Sequence, residues 1–492
     1  MTKQYRFKHS LIYAVLITTF SSIAVQTNAQ DFTGPIDADR EFTEDSTIKS
    51  AIWGPKTLVY TTDGKTINLS TKNNSSLTIT STYDPEVLAE NGGSISFNGF
   101  KNLSVSTGQG VFEVKGANSS IETHINGKLS LNSTNKDNFY LINSETGASI
   151  NLNAGDVTLS GAQAINNFGI TNITSKKDIV INTDGSNAIV NGGDGQIFLS
   201  TTNKLYIKNT GNAGNAIFLS GSGQLNATGA IVEVHATNNA IETSNSSSFN
   251  FGTADSRVGQ LIIQGKNSGI SSQSSSQSNI YASDVSVLAT DDQGIAIYAG
   301  AGTLNLSAEK INVGSSKYMS IDISDLSAVN LLANQSVNIK SKGQAVRTSG
   351  EFKIQGQNGS ALKSLSIESN EGNGIVALGE KSLVEITAID TEFISQDEYP
   401  YANSLSVANK GKIIFKDTGS NEQIIKTQSH WGAMLAQDSS NLTVESGSVD
   451  LTGSVLSTNS STISLGSKKD LLSAEFNLNG ENSGSDQAAI NA

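Results

Sequence analysis

The chain has 492 residues, a net charge of −13 and no cysteine. Disulfide frameworks, thiolate zinc sites, haem attachment and cysteine nucleophiles are thereby excluded, and so acidic a balance leads us to expect no nucleic-acid partner. Only 36% of residues are hydrophobic and 16% charged, with 46 glycines and 4 prolines, a composition suited to many short strands joined by polar turns.

Residues 1–29 read as a cleavable secretory signal. Lys3, Arg6 and Lys8 precede an apolar run from Leu11 to Phe20, and Thr27 and Ala29 have the spacing of a cleavage site, placing the cut after Ala29. The apolar run is too short for a membrane span, and lipidation would need a cysteine. Loss of the three cations makes the mature chain more acidic still, with its charge spread along the sequence as on a solvated surface.

Residues 30–56 do not fit the pattern that follows. They contain DADREFTEDSTIKSAIWG with Trp53, and are expected to cap the open end of what comes next, where strand edges would otherwise be exposed.

From residue 57, and most clearly from Leu77, the chain repeats about every 26 residues. A first strand pattern reads DIVIN from Asp178, KLYIK from Lys204, AIVEV from Ala230, GQLII from Gly259, DVSVL from Asp284, KINVG from Lys310 and SVNIK from Ser336. A second reads NAIVN from Asn187, NAIFL from Asn215, NAIET from Asn239, SGISS from Ser268, QGIAI from Gln293 and NGIVA from Asn373. A third reads GQIFL from Gly195, GQLNA from Gly223, GTLNL from Gly302 and GEFKI from Gly350. Such a unit has no room for a crossover helix. Each strand must pair in parallel with its equivalent one turn later, so the fold class is all-β: a single-stranded parallel β-helix, three strands per coil and about 16 coils, on the order of 75 Å long. Within a strand, Ile179 and Ile181 are expected to face inward and Val180 and Asn182 outward. Three sharp corners per coil account for the Gly, Asn, Asp and Ser between strands, and the ladder's need for N–H donors accounts for the scarcity of proline.

Little in the repeat declares a chemistry. After signal removal the histidines are His124, His235 and His430, each inside the repeat, and the sequence has no G-x-S-x-G elbow and no Gly-Asp-Ser-Gly motif. The turns after successive first strands carry Asp184, Thr210, Thr237, Asn267, Asp291 with Asp292, Ser315 and Lys342, so acids do not stack there. Asp291 and Asp292 read as a solvated turn. No catalytic residue, metal or cofactor is assigned, and the chain is not expected to be an enzyme. A polysaccharide-active β-helix remains the alternative, since enzymes of that kind share the fold; its chemistry needs several carboxylates, or carboxylates with Arg or Lys, brought together on adjacent coils.

One turn stands apart. QDEYPY runs from Gln396 to Tyr401, and the equivalent turn one coil later holds SHW from Ser429. Tyr399, Tyr401 and Trp431 on one edge could stack on sugar faces or anchor a protein contact, and are the candidate ligand-binding residues. The final QAAINA, from Gln487, matches the second strand pattern. The sequence thus stops in mid-coil, as expected of a fragment of a longer protein.

The signal segment, the coil pattern and the lack of cysteine together resemble the passenger region of a Gram-negative autotransporter adhesin. The resemblance covers most of the chain and rests on repeat style. It implies a right-handed β-helix, export through the inner membrane, exposure at the cell surface or outside the cell, and a C-terminal outer-membrane barrel that this sequence does not contain. Two-partner secreted haemagglutinins are a second likeness, without their Asn-Pro motifs. Calcium-binding nonapeptide repeats are a third, matched only by GGDG from Gly192. The expected role is an adhesin or structural stalk, its partner a glycan or protein on a host or bacterial surface, or a passive stalk for an absent C-terminal region.

Overall fold

A computed structural model of the chain describes residues 30–33, 35–49, 57–81, 87–134, 139–395, 402–419, 423–466, 476–479 and 490–491. The signal segment, Trp53, Pro55, Pro85 and the QDEYPY turn lie outside them.

The architecture is a parallel β-solenoid of about 15 turns, 66% strand and without an α-helix among the described residues. Three faces, here sheets 1, 2 and 3, follow one another in each coil. Sheet 1 contains Ile179–Thr183, Lys204–Asn209 and Ile231–Ala236, sheet 2 contains Asn187–Asn191 and Asn215–Leu219, and sheet 3 contains Gln196–Thr201 and Gln224–Thr228. These are the first, second and third strand patterns of the sequence. Among the described residues every ladder is parallel, and the repeat sets the register: Ile179 lies on Leu205 and Val232 follows, while Ile189 lies on Ile217.

Alternation within strands sorts the residues. Ile179 and Ile181 are wholly buried, Val180 is half-buried and Asn182 exposed. One coil contributes Leu205, Ile207, Ile217, Leu219 and Leu225 to the core, all fully buried. Burial of each such side chain is worth about 1.5–3 kcal/mol, and like stacks on like down the axis.

Corners are held by polar side chains turned inward. Asn167 and Asn191 are completely buried between sheets 2 and 3, and Asn167 Nδ2 donates to Asn191 Oδ1 at 2.7 Å. Asn191 Nδ2 also donates to the Gly195 and Gln224 carbonyls, at 2.9 and 2.8 Å, so the amides satisfy backbone groups that a turn leaves unpaired. Between sheets 1 and 2 serines do the same work. Ser315 Oγ donates to the Gly294 carbonyl at 2.7 Å and Ser429 Oγ to that of Ala402 at 3.2 Å, and Ser341, Ser369 and Ser395 stack buried between them.

The expected third sharp corner is missing from part of the chain. Gln277–Ala289, Gly302–Ser315 and Ser327–Ser341 each run unbroken from sheet 3 into sheet 1. The strand bends at Ala282, Ala308 and Ala333, fully buried residues small enough to let the core close without a turn. Arg257 crosses this bend, donating to the Ala282 and Ser307 carbonyls at 3.2 and 3.0 Å and to Gln357 Oε1 at 2.6 Å. Gln357 in turn donates to the Ala308 carbonyl at 2.6 Å.

The ladder begins before Leu77. Gln30–Thr33 lies on Ser46–Lys49, Arg40–Phe42 on Thr66–Thr71, and Ile36 bridges Val59. The segment read as an entry cap is therefore laddered on all three faces, with Phe42 and Ile48 buried in the common core. Its irregular sequence hid short strands: among the described residues Gln30–Thr33 and Arg40–Phe42 are paired on one side only, and Ser46–Lys49 on both. At the other extreme Ile490–Asn491 pairs with Val455 and Leu456, within the column of sheet 2 that its sequence matches.

Candidate functional site

Trp431 lies in the strand Ile424–Ala436, half-buried, its carbonyl accepting from Ser454 Oγ at 2.8 Å. The strand's register shifts between Gln428 and Met434, so Trp431 sits at an irregularity where the chain passes from sheet 1 to sheet 2. Tyr399 and Tyr401 lie outside the described residues. Of the histidines, His124 is exposed on sheet 3, His235 lies on sheet 1, and the backbone of His430 belongs to the same strand as Trp431.

The outer surface of sheet 1 changes in character along the axis. Two outward positions per strand stack into two rows along the axis. In the coils from Leu77 to Gly161 the rows hold only hydroxyls and one amide: Thr78 and Thr80, Ser104 and Ser106, Ser130 and Asn132, Thr158 and Ser160. Further on the same rows hold Tyr206 and Lys208, then Glu233 and His235. Here Lys204 Nζ meets Glu233 Oε1 at 2.9 Å, His235 Nε2 stands 3.5 Å from the other carboxylate oxygen, and the Tyr206 and His235 rings lie 5.6 Å apart. Lys204 Nζ also stands 5.0 Å from the centre of the Tyr206 ring, close enough for cation–π attraction.

Two grooves flank this cluster on the same face. The first, of about 390 Å³, runs along the corner of sheets 1 and 2 and includes Ser160, Gly161, Asn182, Asp184 and Lys208 in its walls. The second, of about 580 Å³, is floored by Leu288 and Gly314 and rimmed by Asn312, Asn338, Lys340 and Lys342. Asn338 Nδ2 donates to Asn312 Oδ1 at 3.0 Å. Both lysines are engaged with the next coil, Lys340 with Glu368 at 2.8 Å and Lys342 with Glu371 at 3.0 Å. The second rim is therefore polar yet nearly charge-balanced. Volumes of this size suit one or two small-molecule residues rather than a large partner.

Asp291 and Asp292, the one acidic pair considered from sequence, are tied into the corner. Asp291 Oδ1 accepts from the Asp292 amide at 2.6 Å, and Lys266 and Lys317 approach the two carboxylates at 3.5 and 2.5 Å. The hydrogen bond donated by the Asp292 backbone N–H, with the Lys266 charge behind it, holds the Asp291 carboxyl below its usual range. Among the described residues no group of three or more His, Cys, Asp or Glu gathers where a metal could bind.

Sequence reasoning passed over sheet 1's outer rows. Their signal was present in the aligned first strands, where the outward positions read down the repeat change from Ser and Thr to Tyr, Lys, Glu and His. Comparison with family models, with curated proteins and with solved structures finds no match to this chain.

Proposed function

We propose that the chain is an exported, surface-exposed β-helix passenger that acts as an adhesin or structural stalk, binding a glycan or protein on host or neighbouring cells. The observation that carries this reading is the division of labour in sheet 1. Inward positions keep one apolar character from coil to coil, while outward positions of the same strands vary and build grooves and an aromatic, charged cluster. A surface that varies over a constant core suits distributed recognition along a rigid arm. The signal-like residues 1–29 support export, and the resemblance to autotransporter passengers supports a cell-surface location with an outer-membrane barrel as partner.

The enzyme alternative calls for two carboxylates converging on adjacent coils. Glu233 and Glu368 on sheet 1 lie several coils apart, each beside a single lysine at 2.9 and 2.8 Å, so these carboxylates do not converge, which favours the binding role.

Deleting the gene from its host and restoring it on a plasmid tests the reading. Restored cells should expose the protein to added protease and adhere to cultured cells or to each other more than deleted ones. Protein confined inside the cell, or adhesion equal in both strains, would sink it. Replacing Tyr399, Tyr401 and Trp431 together by Ala should weaken adhesion if that edge contributes, and unchanged adhesion would remove those residues from the site.

A further inference from the structure

Gly314 has no backbone reason to be glycine. It lies inside the strand Gly302–Ser315, in the outward row of sheet 1 between Leu288 and Lys340. Its φ is not in the left-handed region. A Cβ built there would meet only the Leu288 Cδ2 tip at 3.2 Å and the Lys340 carbonyl at 3.6 Å. Gly259, also within a sheet 1 strand, is different: a Cβ there would press on the Ala230 carbonyl oxygen at 2.6 Å. Glycine inside a strand weakens it and often marks a place where something approaches the backbone closely. At Gly314 the approach comes from outside, because the missing side chain is what opens the floor of the second groove.

The surroundings define what would fit. The floor offers the Leu288 side chain and the flat strand backbone at Gly314, a surface for the C–H face of a ring. One wall is the Asn338–Asn312 amide pair, whose mutual bond leaves Asn312 Nδ2 and Asn338 Oδ1 for a ligand. On the other side Asn370 Oδ1, shielded from solvent, has no hydrogen-bond partner. The Lys340 and Lys342 charges are offset by Glu368 and Glu371, so no strong field selects for an anion.

We propose that the groove over Gly314 binds a neutral pyranose residue of a glycan chain. The ring packs its apolar face on Leu288 and Gly314, and its hydroxyl or acetamido groups exchange hydrogen bonds with Asn312 and Asn338. The assignment rests on the adhesive reading above for its biological role and gives that reading a ligand class and a place.

The test uses the purified mature chain with cello-, malto- and chito-oligosaccharides as neutral probes and oligogalacturonate as the acidic control, followed by ligand-observed NMR and calorimetry. At least one neutral series should bind with little dependence on salt. Gly314→Leu, which fills the floor while favouring a strand, should weaken that binding by tenfold or more, on the order of one 1.4 kcal/mol step, at an unchanged or raised melting temperature. Asn338→Ala, away from the floor, should weaken it less and keeps the question open to decision should Gly314→Leu fold poorly. Absence of binding by every neutral probe, equal binding by both variants, or preference for oligogalacturonate that vanishes with salt would each overturn the site. Cells displaying Gly314→Leu separate the two levels. Adhesion by cells displaying the variant, when only the unsubstituted chain binds oligosaccharide, keeps the groove as a sugar site and takes it out of adhesion, whereas sugar binding by the unsubstituted chain on cells that do not adhere keeps the groove and removes the adhesin reading.

Discussion

The coils from Leu77 to Ser175 and those from Lys204 to Ser369 are built on the same core and wear different surfaces. Leu131 and Leu159 in the first set are buried as completely as Ile207 and Val234 in the second. Outside, the first set presents rows of serine and threonine on sheet 1, and the second presents tyrosine, histidine, a notch at Gly314 and ion pairs between coils such as Lys204–Glu233 and Lys340–Glu368. Packing leaves an inward residue few alternatives, because its neighbours above and below are fixed by the ladder. An outward residue meets only solvent and its row, so that is where two stretches of one solenoid can diverge without cost to the fold.

The sharpest way to break this equivalence is through the core. Leu131→Asp and Ile207→Asp each force a charge into a fully buried row and should cost about 4 kcal/mol or more. Urea denaturation followed by circular dichroism should give comparable losses for the two; a large inequality would mean that the two sets of coils are not energetically alike. A smaller effect contrasts inner and outer amides. Asn191→Ala removes a buried side chain that serves Asn167 and two turn carbonyls and should cost about 1–3 kcal/mol, while Asn338→Ala on the exposed row should change stability by less than about 0.5 kcal/mol. Equal costs would contradict the inside–outside division.

The smallest effect belongs to the corner carboxylate Asp291, whose folded pKa lies below its ordinary value. Its ionised form is the one the fold favours, so its contribution is full above the ordinary carboxylate pKa and fades as pH falls through the lowered one. Asp291→Asn should therefore lower the urea midpoint slightly at neutral pH and match the wild type in strong acid. The opposite trend would show that the Asp292 amide and Lys266 do not stabilise the charge.

Much of this was legible from sequence because the solenoid's constraints are local and periodic. NAIVN, NAIFL and NAIET name a strand, its inward face and the next coil's partner at once, and even Ile490–Asn491 falls in the column its letters predict. Corners were legible where glycine and asparagine mark them. They were illegible at Ala282, Ala308 and Ala333, where a bend needs only small residues and no turn residue announces it. The first coil escaped because Arg40–Phe42 and Ile36 make contacts too brief to show a period. The outer face of sheet 1 was harder for another reason. Its grooves come from side chains that are far apart in sequence and share no pattern, such as Leu288, Gly314 and Asn370, and only the register brings them together.

Because each coil touches mainly its neighbours, a chain of this kind can be lengthened or shortened by whole coils, in steps of about 4.8 Å, without rewriting the rest. The contact between Arg257 and Gln357 suspends that freedom. The two residues are 100 positions apart in the chain and meet over the bend of the coils between them. Removing one intervening coil would draw them out of register, whereas removing one before Lys204 would leave them in place. The Arg257–Gln357 clasp thus turns three of the solenoid's interchangeable rungs into a single inheritable block, gained or lost together.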